Sequence, residues 1–113
     1  MLTVYGIKQC DTVKKALKWL ESRDIEHQFH DVRKDGLNAE MIQRWSEAFG
    51  WQALVNKRST TWRNLDEEAK QTLNEQTALA LLLENPTLIK RPIVEGGKQS
   101  LIGFKAEDYQ KKL

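Results

Sequence analysis

The chain opens with a short strand followed directly by an amphipathic helix, and this order restricts its fold more than any other feature. Residues 2–5 are β-branched, aliphatic or aromatic and stop at Gly6, which is typical of a strand. Apolar residues then recur every three or four positions from Val13 to Leu20, as in an amphipathic helix. A helix that connects two strands of one sheet makes a right-handed crossover and a parallel pair. The start therefore predicts the α/β class.

The middle of the chain is expected to be helical. Asn38 can cap a helix that Gly50 closes. The apolar stripe of this helix is Met41, Ile42, Trp45, Ala48 and Phe49. A short helix is expected over residues 66–73 and a longer one over about 75–84, ended by Asn85-Pro86. The longer helix is apolar nearly all round, which predicts that it is buried.

Three further strands and a last helix are expected: one strand after the first helix, and a hairpin and the helix at the end of the chain. Residues 27–32 form a weaker candidate for the second strand, because His and Asp interrupt them. Residues 93–95 and 99–102 flank Gly96-Gly97, which predicts an antiparallel hairpin. The apolar residues of the last helix share one side: Ala106, Tyr109 and Leu113.

The element order is β-α-β, a helical middle, and then β-β-α. This is the thioredoxin-like layout: an α/β fold with a mixed four-stranded sheet flanked by helices. The early crossover predicts a parallel pair and the late hairpin an antiparallel pair. We expect a single domain over residues 1–113, with a helical insertion at about residues 36–88 between its two halves.

Composition narrows the class of protein. The 113 residues carry 18 basic and 16 acidic side chains, a net charge of +2, which argues against a nucleic-acid binder. No signal-peptide pattern is visible, and the longest apolar run, residues 78–83, is too short to cross a bilayer. One cysteine cannot form an internal disulfide. We therefore expect a cytoplasmic protein without a membrane partner, and a monomer.

Cys10 is the only cysteine and lies between the first strand and the first helix. The free N–H groups at a helix N-terminus favour an anion, so a thiol there has a lowered pKa and is reactive. Lys8 and Lys14 favour the thiolate too, whereas the charge of Asp11 opposes it. The alternative is a small buried hydrophobe, the usual role of a free cysteine. The polar residues around Cys10 favour the reactive thiol.

The segment LIKRPIV, residues 88–94, places Arg91-Pro92 immediately before a strand. Proline donates no hydrogen bond to a sheet, so its position there is unusual. A cis bond would turn the backbone sharply and present Arg91 beside the first helix. A trans proline at the edge of a strand, with Arg91 in solvent, is the commoner arrangement of such bonds.

The segments YGIKQCDTVKKA (residues 5–16), ALVNKRSTTWRNL (53–65) and ENPTLIKRPIV (84–94) together resemble the ArsC family of thioredoxin-like proteins. The family includes arsenate reductases, Spx-type regulators and the YffB branch, described as glutathione-dependent thiol reductases. The chain is most similar to this branch, and the resemblance covers essentially all of it. It implies a nucleophile at Cys10, a cis bond before Pro92, and an Arg91 that faces the sulfur.

Two departures from the family pattern refine this expectation. Spx-type regulators carry a C-x-x-C switch, but the fourth position of CDTV is Val13, so no internal disulfide can form. Arsenate reductases surround the cysteine with several arginines. Arg91 matches one of them, and the second falls in LVNKRS, where Arg58, Lys57 and Asn56 are the candidates. The third falls in SLIGF, which has no basic residue, and this argues against arsenate as the substrate.

Other residues carry weaker signals. His27 and His30 point to opposite faces of a strand, so we expect no metal site. Trp45 is expected in the core, and the pattern leaves the places of Trp51 and Trp62 open.

Two functions remain. The first is a glutathione-dependent monothiol reductase of the ArsC type, with Cys10 as nucleophile and Arg91 beside it, and with glutathione as co-substrate and resolving thiol. No cofactor is expected to bind tightly. Lys8, Lys57, Arg58 and Pro92 are then the candidates for binding the substrate or glutathione. The alternative is an Spx-like binding module that docks on RNA polymerase or another protein without catalysis. Both share one fold, so the fold cannot separate them.

Overall fold

The computed structural model describes all 113 residues, which form two compact units. The first consists of Met1–Gly36 and Arg91–Leu113, and the second of Leu37–Lys90. The second unit is helical and begins and ends within two residues of the expected insertion at 36–88. The single domain over residues 1–113 stays a prediction.

The first unit holds the whole sheet. Its elements are β1 (Leu2–Gly6), α1 (Asp11–Ser22), β2 (His27–Asp31), β3 (Ile93–Glu95), β4 (Leu101–Ile102) and α7 (Ala106–Lys112). The strand order is β2-β1-β3-β4. The pair β1–β2 is parallel, and the pairs β1–β3 and β3–β4 are antiparallel. The predicted α/β fold with a thioredoxin-like mixed four-stranded sheet is confirmed.

The core of the first unit follows from the alternation in β1. Leu2 and Val4 are buried on one face of the strand, and they pack with residues of α1, β3, β4 and α7. The buried members of this cluster are Leu2, Val4, Ala16, Leu20, Val94, Leu101 and Tyr109. Tyr109 donates a hydrogen bond from its hydroxyl to the carbonyl of Gly103 at 2.7 Å, which satisfies its polar end, and burial raises its pKa.

The second unit consists of α2 (Ala39–Phe49), α3 (Trp51–Leu54), α4 (Thr60–Arg63), α5 (Glu67–Gln71), α6 (Glu75–Glu84) and a 3₁₀ turn (Pro86–Leu88). Asn38 caps α2 by accepting from the N–H of Met41 at 2.9 Å, as its position predicted. Gly50 ends α2 with a φ of 85°, a left-handed conformation that glycine adopts without strain. Trp45 is 1% exposed, so its predicted place in the core is confirmed.

Two predictions about helix faces were wrong. Helix α6 was expected to be buried all round, but only Ala78 and Leu82 are buried and Leu83 is 39% exposed. Ala48 was placed on the apolar stripe of α2, but it is exposed, unlike the buried Met41, Ile42 and Trp45 of the same stripe. Burial depends on which neighbouring elements cover a face, and apolar composition alone does not specify them. No helix is both long enough and apolar enough to span a membrane.

Candidate active site around Cys10

Cys10 is the N-cap residue of α1, immediately before the first helical turn. Its carbonyl accepts from the N–H of Lys14 at 3.0 Å, and this is the first bond of the helix. Its own N–H donates to the carbonyl of Ile7 at 3.0 Å, which closes a tight turn after β1. The residue is partly exposed. The turn thus presents the thiol at the positive end of a 12-residue helix.

Close packing between Gly6 and Val13 fixes the start of α1 against the end of β1. A Cβ placed on Gly6 would lie 2.7 Å from Cγ2 of Val13, closer than two carbon atoms approach. Val13 is fully buried, so it has little room to move. Glycine is therefore required where the strand meets the first turn of the helix.

The surroundings of Cys10 favour its thiolate. Burial raises the pKa of the Cys10 thiol, but the backbone N–H of Val13, a hydrogen bond and the charge of Arg91, and the N–H of Thr12 together hold it below its usual value. The sulfur lies close to the N–H groups of Val13 and Thr12 without the geometry of a side-chain N-cap hydrogen bond. These N–H groups therefore stabilise the thiolate as oriented dipoles. This setting favours a reactive thiol, and the reactivity of Cys10 stays a prediction.

The Arg91–Pro92 bond is cis, as the resemblance implied. Pro92 is buried, and its carbonyl accepts from the N–H of Gly103 at 2.8 Å, beside the β3–β4 hairpin. The register that pairs Tyr5 with Ile93 sets Pro92 next to the end of β1. Arg91 is therefore held at the Cys10 turn, with its guanidinium hydrogen-bonded to the sulfur.

Replacing Arg91 with alanine is expected to slow alkylation of Cys10 by iodoacetamide at pH 7 by roughly three- to tenfold. Loss of the positive charge raises the pKa of the thiol, so a smaller fraction is ionised. The pH dependence of the alkylation rate measures this change. Arg91→Lys is the matched control, because it keeps the charge and should shift the profile less. An Arg91→Ala profile that overlays the wild-type profile would contradict the role of Arg91.

The structure adds one residue that the sequence did not single out, Asp31, at the end of β2. Its side chain is only 6% exposed. Its Oδ1 accepts from the N–H of Arg33 at 2.8 Å and of Lys34 at 3.2 Å. The N–H of Lys8 also donates to its carboxylate, and these bonds outweigh the effect of burial and hold the pKa of Asp31 below its usual value. Asp31 thus anchors the turn that carries Cys10.

Substituting Asp31 with asparagine is expected to lower the free energy of unfolding at pH 7 by about 1.5–3 kcal/mol, the contribution of hydrogen bonds to a charged group. Because the pKa of the folded carboxylate is depressed, its stabilisation is present above about pH 4 and is lost as the pH falls through the folded value. The difference between variant and wild type in urea unfolding should therefore shrink at pH 3. Asp66→Asn, at an exposed carboxylate, is the control and should change stability by less than about 0.5 kcal/mol.

Lys57 and Arg58 lie in the second unit, in the turn between α3 and α4. Asn56 donates its N–H to the carbonyl of Leu88 at 2.8 Å, and its Oδ1 accepts from the N–H of Arg58 at 3.1 Å. Both cations line a cavity of about 470 Å³, together with Lys90. Their part in binding glutathione stays a prediction.

Trp51 and Trp62, which the sequence left open, are half-buried and line a cavity of about 160 Å³ in the second unit. The Nζ atoms of Lys57 and Lys70 lie 5.7 and 5.4 Å from the ring centroid of Trp62, within the range of cation–π contacts. The Trp62 ring therefore lies between two lysines, one of which, Lys57, is a candidate residue for glutathione binding.

The two histidines donate to backbone carbonyls. His27 Nδ1 lies 2.7 Å from the carbonyl oxygen of Ile25, and His30 Nε2 lies 2.7 Å from that of Gly36. No group of three or more His, Cys, Asp or Glu side chains is arranged to hold a metal ion. Each histidine thus has a structural partner.

The mixed sheet, the cysteine at the start of α1 and the arginine before a cis-proline define a thioredoxin-like protein with a single thiol at a helix N-terminus. The ArsC family model matches residues 5–112, and the chain belongs to this family.

Three relatives show the range of similarity. The solved structure of a YffB protein is 42% identical, has a TM-score of 0.93, and covers 100% of this chain and 99% of its own. An uncharacterised protein of Haemophilus influenzae is 60% identical over 110 residues, which are 97% of this chain and 96% of that protein. The global transcriptional regulator Spx of Listeria innocua is 28% identical over 116 residues, covering 100% of this chain and 87% of the regulator.

Proposed function

We propose that the protein is a glutathione-dependent monothiol reductase that acts through Cys10. Membership of the ArsC family supports a thiol-reductase kind of function. The observation that carries the proposal is the position of the thiol, at the first turn of α1 with Arg91 hydrogen-bonded to it. A thiolate stabilised in this way is the nucleophile that disulfide exchange requires.

In the first step, the Cys10 thiolate attacks one sulfur of a mixed disulfide between glutathione and a substrate thiol. A new bond forms between Cys10 and the glutathione sulfur, the original S–S bond breaks, and the substrate leaves as a thiolate. Arg91 stabilises the Cys10 thiolate before the attack. Exchange conserves the number of disulfide bonds, so this step needs no other oxidant or reductant.

In the second step, an external thiol must release the capped sulfur. The fourth position of CDTV is Val13, and no second cysteine exists in the chain to expel the adduct. A second glutathione thiolate attacks the adduct, which frees Cys10 and leaves oxidised glutathione. Glutathione is abundant in the cytoplasm, where we place the protein.

Cations near the thiol provide partners for the two carboxylates of glutathione. Arg91 lies at the sulfur, and Lys8 lies in the turn that carries it. Lys57 and Arg58, in the second unit, stay the candidates from the sequence for a further charge-assisted hydrogen bond. The segment SLIGF, residues 100–104, has no basic residue to complete an arsenate site, so we propose a disulfide and not arsenate as the substrate.

Incubation with oxidised glutathione tests the proposal. Intact-mass spectrometry should show one glutathionyl adduct on the wild-type protein, peptide mapping should place it at Cys10, and reduced glutathione should remove it. A coupled assay with glutathione reductase should then detect turnover of a small glutathione mixed disulfide. If no adduct forms at millimolar oxidised glutathione, the proposed reductase function is wrong.

That outcome would favour an Spx-like binding module, which the similarity to the Listeria innocua regulator supports. Such a module would dock on RNA polymerase or another protein without using its thiol. It predicts that Cys10→Ser binds the partner as well as wild type, which a pull-down with purified RNA polymerase measures.

A further inference from the structure

A cleft of about 320 Å³ lies beside the turn that carries Cys10. One wall is the turn after β1 and the other is the turn after β2. The lining residues are Ile7, Lys8, Gln9, Asp31, Arg33 and Lys34. Cys10 does not line the cleft itself but follows Gln9 directly, so its Cα lies about 3.8 Å from that of a wall residue. The cleft therefore borders the turn that carries Cys10, and Cys10 itself is not among its lining residues.

The cleft is electropositive. Three cations, Lys8, Arg33 and Lys34, line it against a single carboxylate, that of Asp31. The three cations are exposed, whereas the carboxylate is buried and accepts hydrogen bonds from backbone N–H groups. The charged ends of the cations are therefore available to a ligand from solution.

The two walls are joined by this buried carboxylate. Asp31 accepts from the N–H of Lys8 in one wall and from the N–H groups of Arg33 and Lys34 in the other. A second carboxylate, that of Asp35, accepts from the N–H of Asp31 at 2.9 Å and holds the β2 turn. The backbones that carry the three cations are thus fixed before a ligand arrives, which reduces the ordering that binding requires.

We propose that this cleft is an anion subsite that binds a carboxylate of the thiol or disulfide reacting at Cys10. The inference rests on the proposed function and extends it to Arg33 and Lys34. Glutathione is a tripeptide, about 10 Å long when extended, so a terminal carboxylate can extend from the reacting sulfur to a cleft beside the Cys10 turn. Lysine and arginine provide the charge-assisted hydrogen bonds that a carboxylate takes.

Two aromatic disulfides of different charge test the subsite on the full-length protein. The probes are 5,5′-dithiobis(2-nitrobenzoate), which carries two carboxylates, and the neutral 4,4′-dithiodipyridine. In each reaction the Cys10 thiolate forms a disulfide with one half of the reagent and the other half leaves as a thiolate. In the Lys8→Gln/Arg33→Gln/Lys34→Gln variant, the rate with the dianionic probe should fall roughly tenfold relative to the rate with the neutral probe. The ratio cancels any change in the ionisation of Cys10.

The control variant is Lys15→Gln/Lys18→Gln/Lys98→Gln, which removes three exposed charges elsewhere. It should keep the wild-type ratio of rates within twofold. An equal fall in both variants would show a net-charge effect and would overturn the subsite, as would an unchanged ratio in the cleft variant.

Oxidised glutathione, used as a third probe, separates this inference from the proposed function. If the wild type forms no glutathionyl adduct but the cleft variant loses its preference for the dianionic probe, the subsite stands and the glutathione-dependent function fails. If the adduct forms and the ratio does not change, the function stands and the subsite is wrong.

Discussion

Replacing Cys10 with serine is expected to abolish the glutathionyl adduct and to lower any glutathione-dependent reductase activity by roughly 10³-fold or more, the usual effect of removing a nucleophile. A serine hydroxyl is not ionised by the N–H groups and the arginine that stabilise the thiolate. Intact-mass spectrometry and the coupled assay measure the two losses. Full activity in the variant would contradict the proposed mechanism.

The fold should survive this substitution. Cys10 occupies an N-cap position, where serine is a favoured residue, so urea unfolding should give a stability equal to or above that of the wild type. A matched control moves the thiol to the other end of the same helix with Cys10→Ser/Ser22→Cys. Ser22 is exposed near the carbonyl end of α1, where the helix dipole disfavours an anion. This thiol should alkylate slowly at pH 7 and support no turnover.

Replacing Gly6 with alanine is expected to lower the free energy of unfolding by about 1–3 kcal/mol, the range for overpacking in a close-packed interior. The new Cβ would lie 2.7 Å from Val13 Cγ2, so either the strand or the first turn of α1 must move. Because that turn also positions Cys10, alkylation of the thiol at pH 7 should slow as well. Chemical denaturation and alkylation rates measure the two effects.

A double-mutant cycle isolates this contact. Val13→Ala alone should destabilise the protein by roughly 2 kcal/mol, because it removes two buried methyl groups. In that background Gly6→Ala should cost less than it does alone, since the clashing atoms are gone. Gly36→Ala is the control: Gly36 has a φ of 106° and nothing within 4 Å of a new Cβ. Gly36→Ala should lower the free energy of unfolding through backbone strain alone, so Val13→Ala should not reduce this loss.

The sequence alone determined the type and order of the main elements. The β-branched and aromatic residues of β1 before Gly6, the 3.6-residue period of α1 and the Asn38 and Gly50 boundaries of α2 are local signals, and the structure contains each of these elements. The order of elements was enough to predict a parallel β1–β2 pair and an antiparallel hairpin. The position of Cys10 before α1 could be predicted as well, because it follows from the boundary of the helix.

The short helices α3 and α4 escaped prediction for a physical reason. Each has four residues, too few for a helix to form without packing, so the sequence carries little periodic signal for them. For α6 the helix was predicted correctly from its apolar pattern, but its burial was not. Its composition was clear, but which side chains become buried depends on the elements that cover them.

Tertiary structure decided how the site is assembled. Arg91 is about eighty residues from Cys10 in the chain, and the residues alone left two arrangements open, of which the family resemblance favoured the one that places Arg91 beside the sulfur. The pairing of β1 with β3 brings the two together. Asp31 had only a weak signal, an acidic residue in a polar turn, where aspartate often accepts from nearby backbone N–H groups. Its bonds to Arg33 and Lys34 are local, whereas its bond to Lys8 exists only because β2 lies beside β1 and brings a donor from another part of the chain.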